Sequence, residues 1–403
     1  MNQLTTQRQR IFSIDILRGI VMVIMALDHV RDFFYKVPVT DGGSVATGPT
    51  DLATTTPALF FTRWITHFCA PIFLFLAGVS IFLMSRRKSK SQLSGFLLTR
   101  GIWLILIEVI IITFAWTFNP FFNLIILQVI WAIGISMVVF ALFIFLPDRW
   151  ILFLGLLIVF GHNLLNYPSI ASHLKGGAVP DLVYFASFSQ YGLTTDHSAM
   201  IVYSFLPWTG IMLTGYGFGR LFTDQVSPTE RRRFLLLSGS ALIALFCVLR
   251  LINGYGDPVP WSTQARGPVF TFLSFLNVNK YPPSLDFFSI TIGSGLIMLA
   301  VLERAQSSIA GFFRVFGRVP MLYYVLHLYL IHVIGVIVFF AQGFSKADIV
   351  TPKNPFFFRP SGIGFGLPGV YLVWLTVILL LYPVCRAYNR YKSVNGQWWL
   401  SYV

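Results

Sequence analysis

Apolar runs of about twenty residues, nearly free of charge, recur from one end of this chain to the other. A helix needs about 20 mainly apolar residues to cross a bilayer. Inside lipid every backbone polar group must be satisfied within the segment, which favours helices. Ten stretches qualify, at about 12–34, 58–84, 94–117, 122–146, 150–166, 199–222, 234–252, 285–303, 319–341 and 366–387. The fifth is short and nearly touches the fourth, so nine or eleven stay open. Of 403 residues only 11% are charged and 56% are hydrophobic, against about 25% charged in a soluble domain. Too few charges remain to coat a water-soluble surface. A cytosolic enzyme, a disordered chain and a secreted disulfide scaffold are excluded. The expected fold is all-α: a polytopic transmembrane helical bundle with about ten spans, residues 1–403 forming one membrane domain.

The placement of basic residues orients that bundle. Lys and Arg gather in cytoplasmic loops of membrane proteins. With the amino terminus inside, about nineteen of the 29 Lys and Arg fall on the inner side. They include Arg8, Arg10, Arg86, Arg87, Lys88, Arg231, Arg232, Arg233 and Arg318. Both termini are therefore expected in the cytoplasm. The formal net charge of +14 reads as topology rather than as nucleic-acid binding. The long loops, at about 35–57, 167–198, 253–284 and 342–365, all fall outside, and Lys280-Tyr281-Pro282-Pro283 is their densest turn signal. The basic start and apolar first run look like a signal peptide, but Asp15, Arg18, Asp28 and His29 interrupt the run and no small-residue cleavage site follows. The run reads as a retained first span. Cys69, Cys247 and Cys385 lie in apolar stretches without a CxxC pair and read as packing residues.

Ionisable side chains within spans are costly and by default suggest function. The first span is the richest. At 100° per residue, Arg18 and His29 lie about 20° apart around the helix and about 16 Å apart along it. Asp15 and Asp32 fall within about 60° of the same line, so the four form one polar stripe. A purely structural account makes Asp15–Arg18 an i,i+3 pair and leaves Asp28 and His29 at the interface. A histidine with carboxylate neighbours is equally a natural general base near neutral pH. The second span adds Arg63 and His67 on one face at the depth of His29, with Pro71 expected to loosen the helix there. In the ninth, His327 and His332 are about 140° apart and cannot both face one pocket; His327, which shares a face with Tyr324, is the better placed. Glu108 is a buried acid with no obvious partner. Pro207-Trp208 is a possible kink, and Gly215, Gly217 and Gly219 alternate rather than forming a GxxxG face. His162, His173 and His197 read as solvated. No metal is expected from these spacings, although His29, His67 and His327 are a conceivable set.

Several segments carry a family likeness: SIDILRGIVMVIMALDHVRDFF, RWITHFCAPIFLFLAGVSIFL, FLPWTGIMLTGYGFGR, NVNKYPPSL and FGRVPMLYYVLHLYLIH. Together, from about Arg10 to the terminal WWLSYV, they resemble the heparan-α-glucosaminide N-acetyltransferase catalytic-domain family, in its bacterial branch. Arg18-x10-His29 is also similar to the Arg-x10-His signature of membrane acyltransferase-3 enzymes. The resemblance implies a bacterial inner-membrane enzyme. It would carry an acetyl group from cytosolic acetyl-CoA to a hydroxyl or amine of an extracytoplasmic sugar or glycan. Animal members acetylate a terminal glucosamine of heparan sulfate. This chain is expected to differ from them in lacking a luminal amino-terminal domain, and its DHVR stretch reads differently from theirs. The acyltransferase-3 histidine maps onto His29 and its arginine onto Arg18.

The residues are compatible with that scheme. Arg18, Arg86, Arg87, Arg100 and Arg318 are the candidates for the donor's phosphates. His29 is the expected base, with Asp28 or Asp32 orienting or balancing it. His67 or His327 would stabilise the oxyanion or relay the proton. Direct transfer and an acetyl-histidine intermediate both stay open, as does a homodimer. The competing reading is a proton-coupled secondary transporter, which would also use buried His, Asp and Arg. Two related halves with broken helices, the usual transporter mark, are not visible.

Overall fold

The computed structural model describes residues 12–36, 48–350, 355–360 and 362–401. Arg8 and Arg10 lie outside the described residues. In chain order, α1 (Phe12–Phe34) is followed by α2 (Pro57–Trp64), a 3₁₀ turn (Ile65–Phe68), α3 (Cys69–Ser85) and α4 (Lys90–Ile107). A π-helical turn (Glu108–Ile112) leads to α5 (Thr113–Thr117), β1 (Leu124–Leu127), α6 (Val129–Phe143) and α7 (Asp148–Gly161). The short helices α8 (Pro168–Leu174) and α9 (Ala178–Pro180) precede β2 (Ser189–Gly192), β3 (Ser198–Ile201) and α10 (Leu206–Phe218). The remainder is helical: α11 (Pro228–Ile252), α12 (Pro268–Leu276), α13 (Leu285–Leu302), α14 (Ser308–Arg318), α15 (Pro320–Ala341) and α16 (Leu367–Val394).

Among the described residues, seven helical segments are long and apolar enough to cross a membrane: Pro57–Ser85, Lys90–Thr117, Asp148–Asn166, Pro228–Ile252, Leu285–Leu302, Pro320–Ala341 and Leu367–Val394. The three other stretches expected to span are also helical but fall short, each for its own reason. α1 has 23 residues but carries Asp15, Arg18, Asp28, Arg31 and Asp32. α6 has 15 residues and α10 has 13. A 15-residue helix is about 22 Å long, against a hydrocarbon core of about 30 Å.

The fold is mostly helical, as expected, but part of the length expected of α6 and α10 goes into short strands. β1 pairs parallel with β3, Leu124 opposite Ser198, and β2 pairs antiparallel with β3. β1 reads Leu-Ile-Ile-Leu with burial alternating along it, the period of a strand with one covered face. Open strands are not tolerated against lipid and occur at membrane depth only where protein or a cavity covers them. Here Ile126 of β1 and Met200 of β3 form part of a cavity wall.

α1 runs through the middle of the bundle, packed on α3, α13, α14, α15 and α16. Small residues allow backbones to approach closely where no hydrophobic force drives helices together. A Cβ on Gly19 would sit 1.8 Å from the carbonyl oxygen of Phe313, and one on Gly317 1.8 Å from that of Asp15. The α1–α14 contact therefore requires both glycines. α10 meets α3 similarly, with Gly215 against Phe75 and Gly219 against Phe82. Those two glycines, one in α10 and one just past its end, are four apart and both meet α3, so the pair does act as a GxxxG contact; Gly217 faces Leu152 of α7 instead.

Prolines break the chain where the backbone loses its donor. Pro71 cannot donate to the carbonyl of residue 67, and the turn ahead of it is the 3₁₀ segment Ile65–Phe68. Pro207 lies in the first turn of α10, so it starts that helix rather than kinking it. Glu108 does have partners: its carboxylate accepts from the backbone N–H of Trp131 (2.9 Å) and Gln128 (3.3 Å) and caps α6.

Candidate functional site

Two cavities that share part of a wall lie along α1. The first, the polar cavity of about 620 Å³, gathers charged side chains among apolar ones. Its wall includes Asp28, His29, Arg31 and Asp32 of α1, Arg63 of α2, Lys280 and Tyr281 ahead of α13, and Arg359. The second, about 300 Å³, is largely apolar, with Met22, Ala77, Met84 and Met137 in its wall and Arg18 and Arg100 as its charged members. Met25, Phe73 and Val129 belong to both walls. Arg18 and His29, on one stripe of α1, thus serve different cavities.

At the polar cavity, Nδ1 of His29 is 2.7 Å from Nε2 of His327. The two rings are nearly parallel, with centroids 5.0 Å apart. On its far side His327 places Nδ1 2.8 Å from the carbonyl oxygen of Tyr323. A carbonyl only accepts, so His327 carries its hydrogen on Nδ1 and donates it there. With both imidazoles neutral, Nε2 of His327 must accept, and Nδ1 of His29 must donate to it. Nε2 of His29 is then left with a lone pair. Trp116 sits edge-on to the His29 ring, centroids 5.1 Å apart, and limits its tilt.

The carboxylates serve the arginines rather than this ring. Asp28 accepts from Arg63 Nη1 at 2.6 Å and pairs with Arg31 Nη2 at 2.9 Å. Arg31 also pairs with Asp32. Asp28 follows one residue before His29, about 100° away around the helix, which turns its carboxylate toward α2. The partner that holds the histidine in its tautomer is His327, 298 residues away in sequence. Arg63 donates further to Thr66 Oγ1 at 3.0 Å.

The other expected site residues separate. His67 lies in the wall of a side cavity of about 190 Å³, together with Arg63, Lys280 and Tyr281, and packs edge-on to Phe287. His29, His67 and His327 therefore do not converge. Among the described residues no group of three His, Cys, Asp or Glu is arranged to hold a metal ion. His332 is held by the carbonyls of Ala115 and Phe357, with its ring stacked on Phe118. His162 is buried, not solvated, between the carbonyls of Ile158 and Pro283; His173 and His197 are exposed.

On the basic side, Arg18 donates to Ser80 at 3.2 Å and lies 3.7 Å from Asp15. Arg318 approaches the same carboxylate at 3.4 Å and stands outside the apolar cavity's wall. Arg86 and Arg87 are exposed at the end of α3. Lys280 and Tyr281 entered the sequence reading only as a turn signal, and Arg359 and Trp116 carried no signal that marked a site. The first three sit in loops that border spans, where a lone charge or aromatic resembles an interfacial anchor.

None of the curated proteins compared with this chain matches it. The model of the family heparan-alpha-glucosaminide N-acetyltransferase, catalytic, matches residues 10–249. The match takes in α1, Arg63 and His67 and ends before Lys280 and His327. Because it covers more than half of the 403 residues, the chain belongs to the heparan-alpha-glucosaminide N-acetyltransferase catalytic-domain family.

Proposed function

We propose that this protein transfers an acetyl group from cytosolic acetyl-CoA to a hydroxyl or amine of an extracytoplasmic sugar or glycan. The observation that carries this reading is the relay from the Tyr323 carbonyl through His327 to His29, which leaves His29 Nε2 as a base. A base placed in a cavity wall is what an acyl acceptor needs. The reading includes ten spans, both termini in the cytoplasm and a bacterial inner membrane, with the polar cavity outward and the apolar cavity inward. The distribution of basic residues supports that orientation.

The donor's pantetheine arm fits the chemistry of the apolar cavity, with Arg18 and Arg100 for its phosphates. Arg86, Arg87 and Arg318 add attraction at the inner surface. The thioester then reaches the wall that both cavities share, and the acceptor waits in the polar one. His29 Nε2 takes the proton from the acceptor as its oxygen or nitrogen bonds to the acetyl carbon. The carbon–sulfur bond breaks, and the coenzyme A thiolate recovers the proton from His29. His327 acts as a positioning residue, holding the tautomer. Arg63 and Arg31 hold the Asp28 carboxylate in their own ion pairs, turned away from the His29 ring.

The test is the detergent-purified chain with acetyl-labelled acetyl-CoA and glucosamine as acceptor probe, wild type beside His29→Ala. The expected result is thioester loss that falls by about 100-fold or more in the variant, with acetyl-CoA still raising the melting temperature of both. Label retained on wild-type protein without acceptor would favour the acetyl-histidine route. Equal turnover in the variant would remove His29 as the base. Absence of stabilisation by acetyl-CoA would overturn the donor and favour proton-coupled transport.

A further inference from the structure

Lys280 is 7% exposed, and no ion pair of its side chain occurs among the described residues. An ammonium withdrawn from water is costly unless something returns its charge. What faces it is modest: the rings of Tyr281 and Tyr203, with centroids 5.2 and 5.8 Å from Nζ. Asp28, in the same wall, is already engaged by Arg63 and Arg31. Asp32 is engaged by Arg31. The polar cavity as a whole sets four cationic side chains, Arg31, Arg63, Lys280 and Arg359, against two carboxylates.

Lys280 also belongs to the wall of the side cavity. There His67, 5% exposed, has a ring nitrogen, Nδ1, with no hydrogen-bond partner among the described residues. Two buried nitrogens, one cationic and one able to donate, thus border one small space whose wall also includes Arg63. Its 190 Å³ holds roughly six waters at about 30 Å³ each. That suits a charged substituent with residual water, while a sugar ring would stay in the 620 Å³ cavity alongside.

We propose that Lys280, with His67 and Arg63, forms an anion subsite that binds a carboxylate or phosphate carried by the acceptor sugar. The word acceptor rests on the acetyltransferase reading; the anion subsite does not. Binding there anchors the substrate at a point away from its reacting hydroxyl or amine. A neutral sugar would leave the lysine unpaired, so the subsite also selects.

The experiment measures binding of glucuronate, glucose 6-phosphate and glucose to the full chain in detergent by calorimetry, for wild type, Lys280→Gln and Lys280→Arg. One or both anionic sugars should bind more tightly than glucose. Lys280→Gln should weaken that binding about tenfold or more, and Lys280→Arg should keep most of it. Whichever anionic sugar leads identifies the substituent. Equal binding of all three sugars to wild type would overturn the subsite, and so would anion binding unchanged in Lys280→Gln. A Lys280→Gln protein that unfolds leaves the preference of wild type and the Lys280→Arg result to decide. Acetyl-CoA stabilisation, measured on the same samples, separates the two readings: its absence beside intact anion preference would end the transferase reading alone.

Discussion

The two cavities along α1 meet at Met25, Phe73 and Val129 and differ in the charge that their walls carry. The polar cavity holds its charges in a network: Arg63 and Arg31 on Asp28, Arg31 on Asp32, and His29 on His327. The apolar cavity is lined by methionines, leucine, isoleucine and phenylalanine, with its arginines among only a few polar side chains. One helix serves both because its polar residues cluster toward the ends and leave Ile20–Leu27 without charge. The difference teaches that a buried charged site in this bundle is built as a network of ion pairs that leaves a cationic excess, four cationic side chains against two carboxylates. An adjoining apolar passage needs only shape.

Breaking the network should have the largest effect. Arg63→Ala leaves the Asp28 carboxylate with Arg31 alone in a buried site. We expect a loss of about 3 kcal/mol of stability, read from denaturant unfolding of the purified chain. A loss under about 1 kcal/mol would mean that water already answers these charges and that the two cavities differ only in lining. The next effect sharpens the division of labour. Ala77→Phe puts bulk into the apolar cavity without touching His29 or Lys280. Acetyl-CoA affinity should fall about tenfold, or about 1.4 kcal/mol, while sugar binding in the polar cavity stays as in wild type. Sugar binding that fell equally would show one continuous site. The smallest effect lies at the inner surface. Arg86→Ala combined with Arg87→Ala should weaken acetyl-CoA binding about threefold at low salt and not at high salt, because exposed charges are screened. A salt-independent loss of the size seen for Ala77→Phe would place these arginines in direct contact with the donor.

Much of the site's stripe on α1 was legible because helical periodicity is local. Arg18, Asp28 and His29 can be placed around the axis from spacing alone, and their separation between two cavities follows from the rise per residue. The preference for His327 over His332 came from the same arithmetic. The role expected of Asp28 did not survive in that form: its carboxylate faces Arg63 on another helix, and neighbouring positions in sequence say nothing about which helix stands opposite. His67 was read at the depth of His29, and depth alone does not set the cavity into which a side chain falls. The 3₁₀ turn at Ile65–Phe68 and the packing of Phe287 set that. The strands in the fourth and sixth stretches were hidden because short apolar runs of Leu, Ile and Met fit helix and strand equally. The GxxxG face of α10 was obscured by Gly217, which lies between Gly215 and Gly219 and packs on a different helix.

The sequence by itself determined that this is a helical membrane protein of an acetyltransferase family. Hydropathy and residue spacing act over a few turns and are written residue by residue. The tertiary structure alone decided which nitrogen of His29 is free, what Asp28 balances, and that Lys280 is buried with no ion pair among the described residues. Those depend on side chains up to 298 positions apart. Such pairs meet only when glycine seams such as Gly19–Gly317 bring the helices into contact, and no local pattern records which helices will touch.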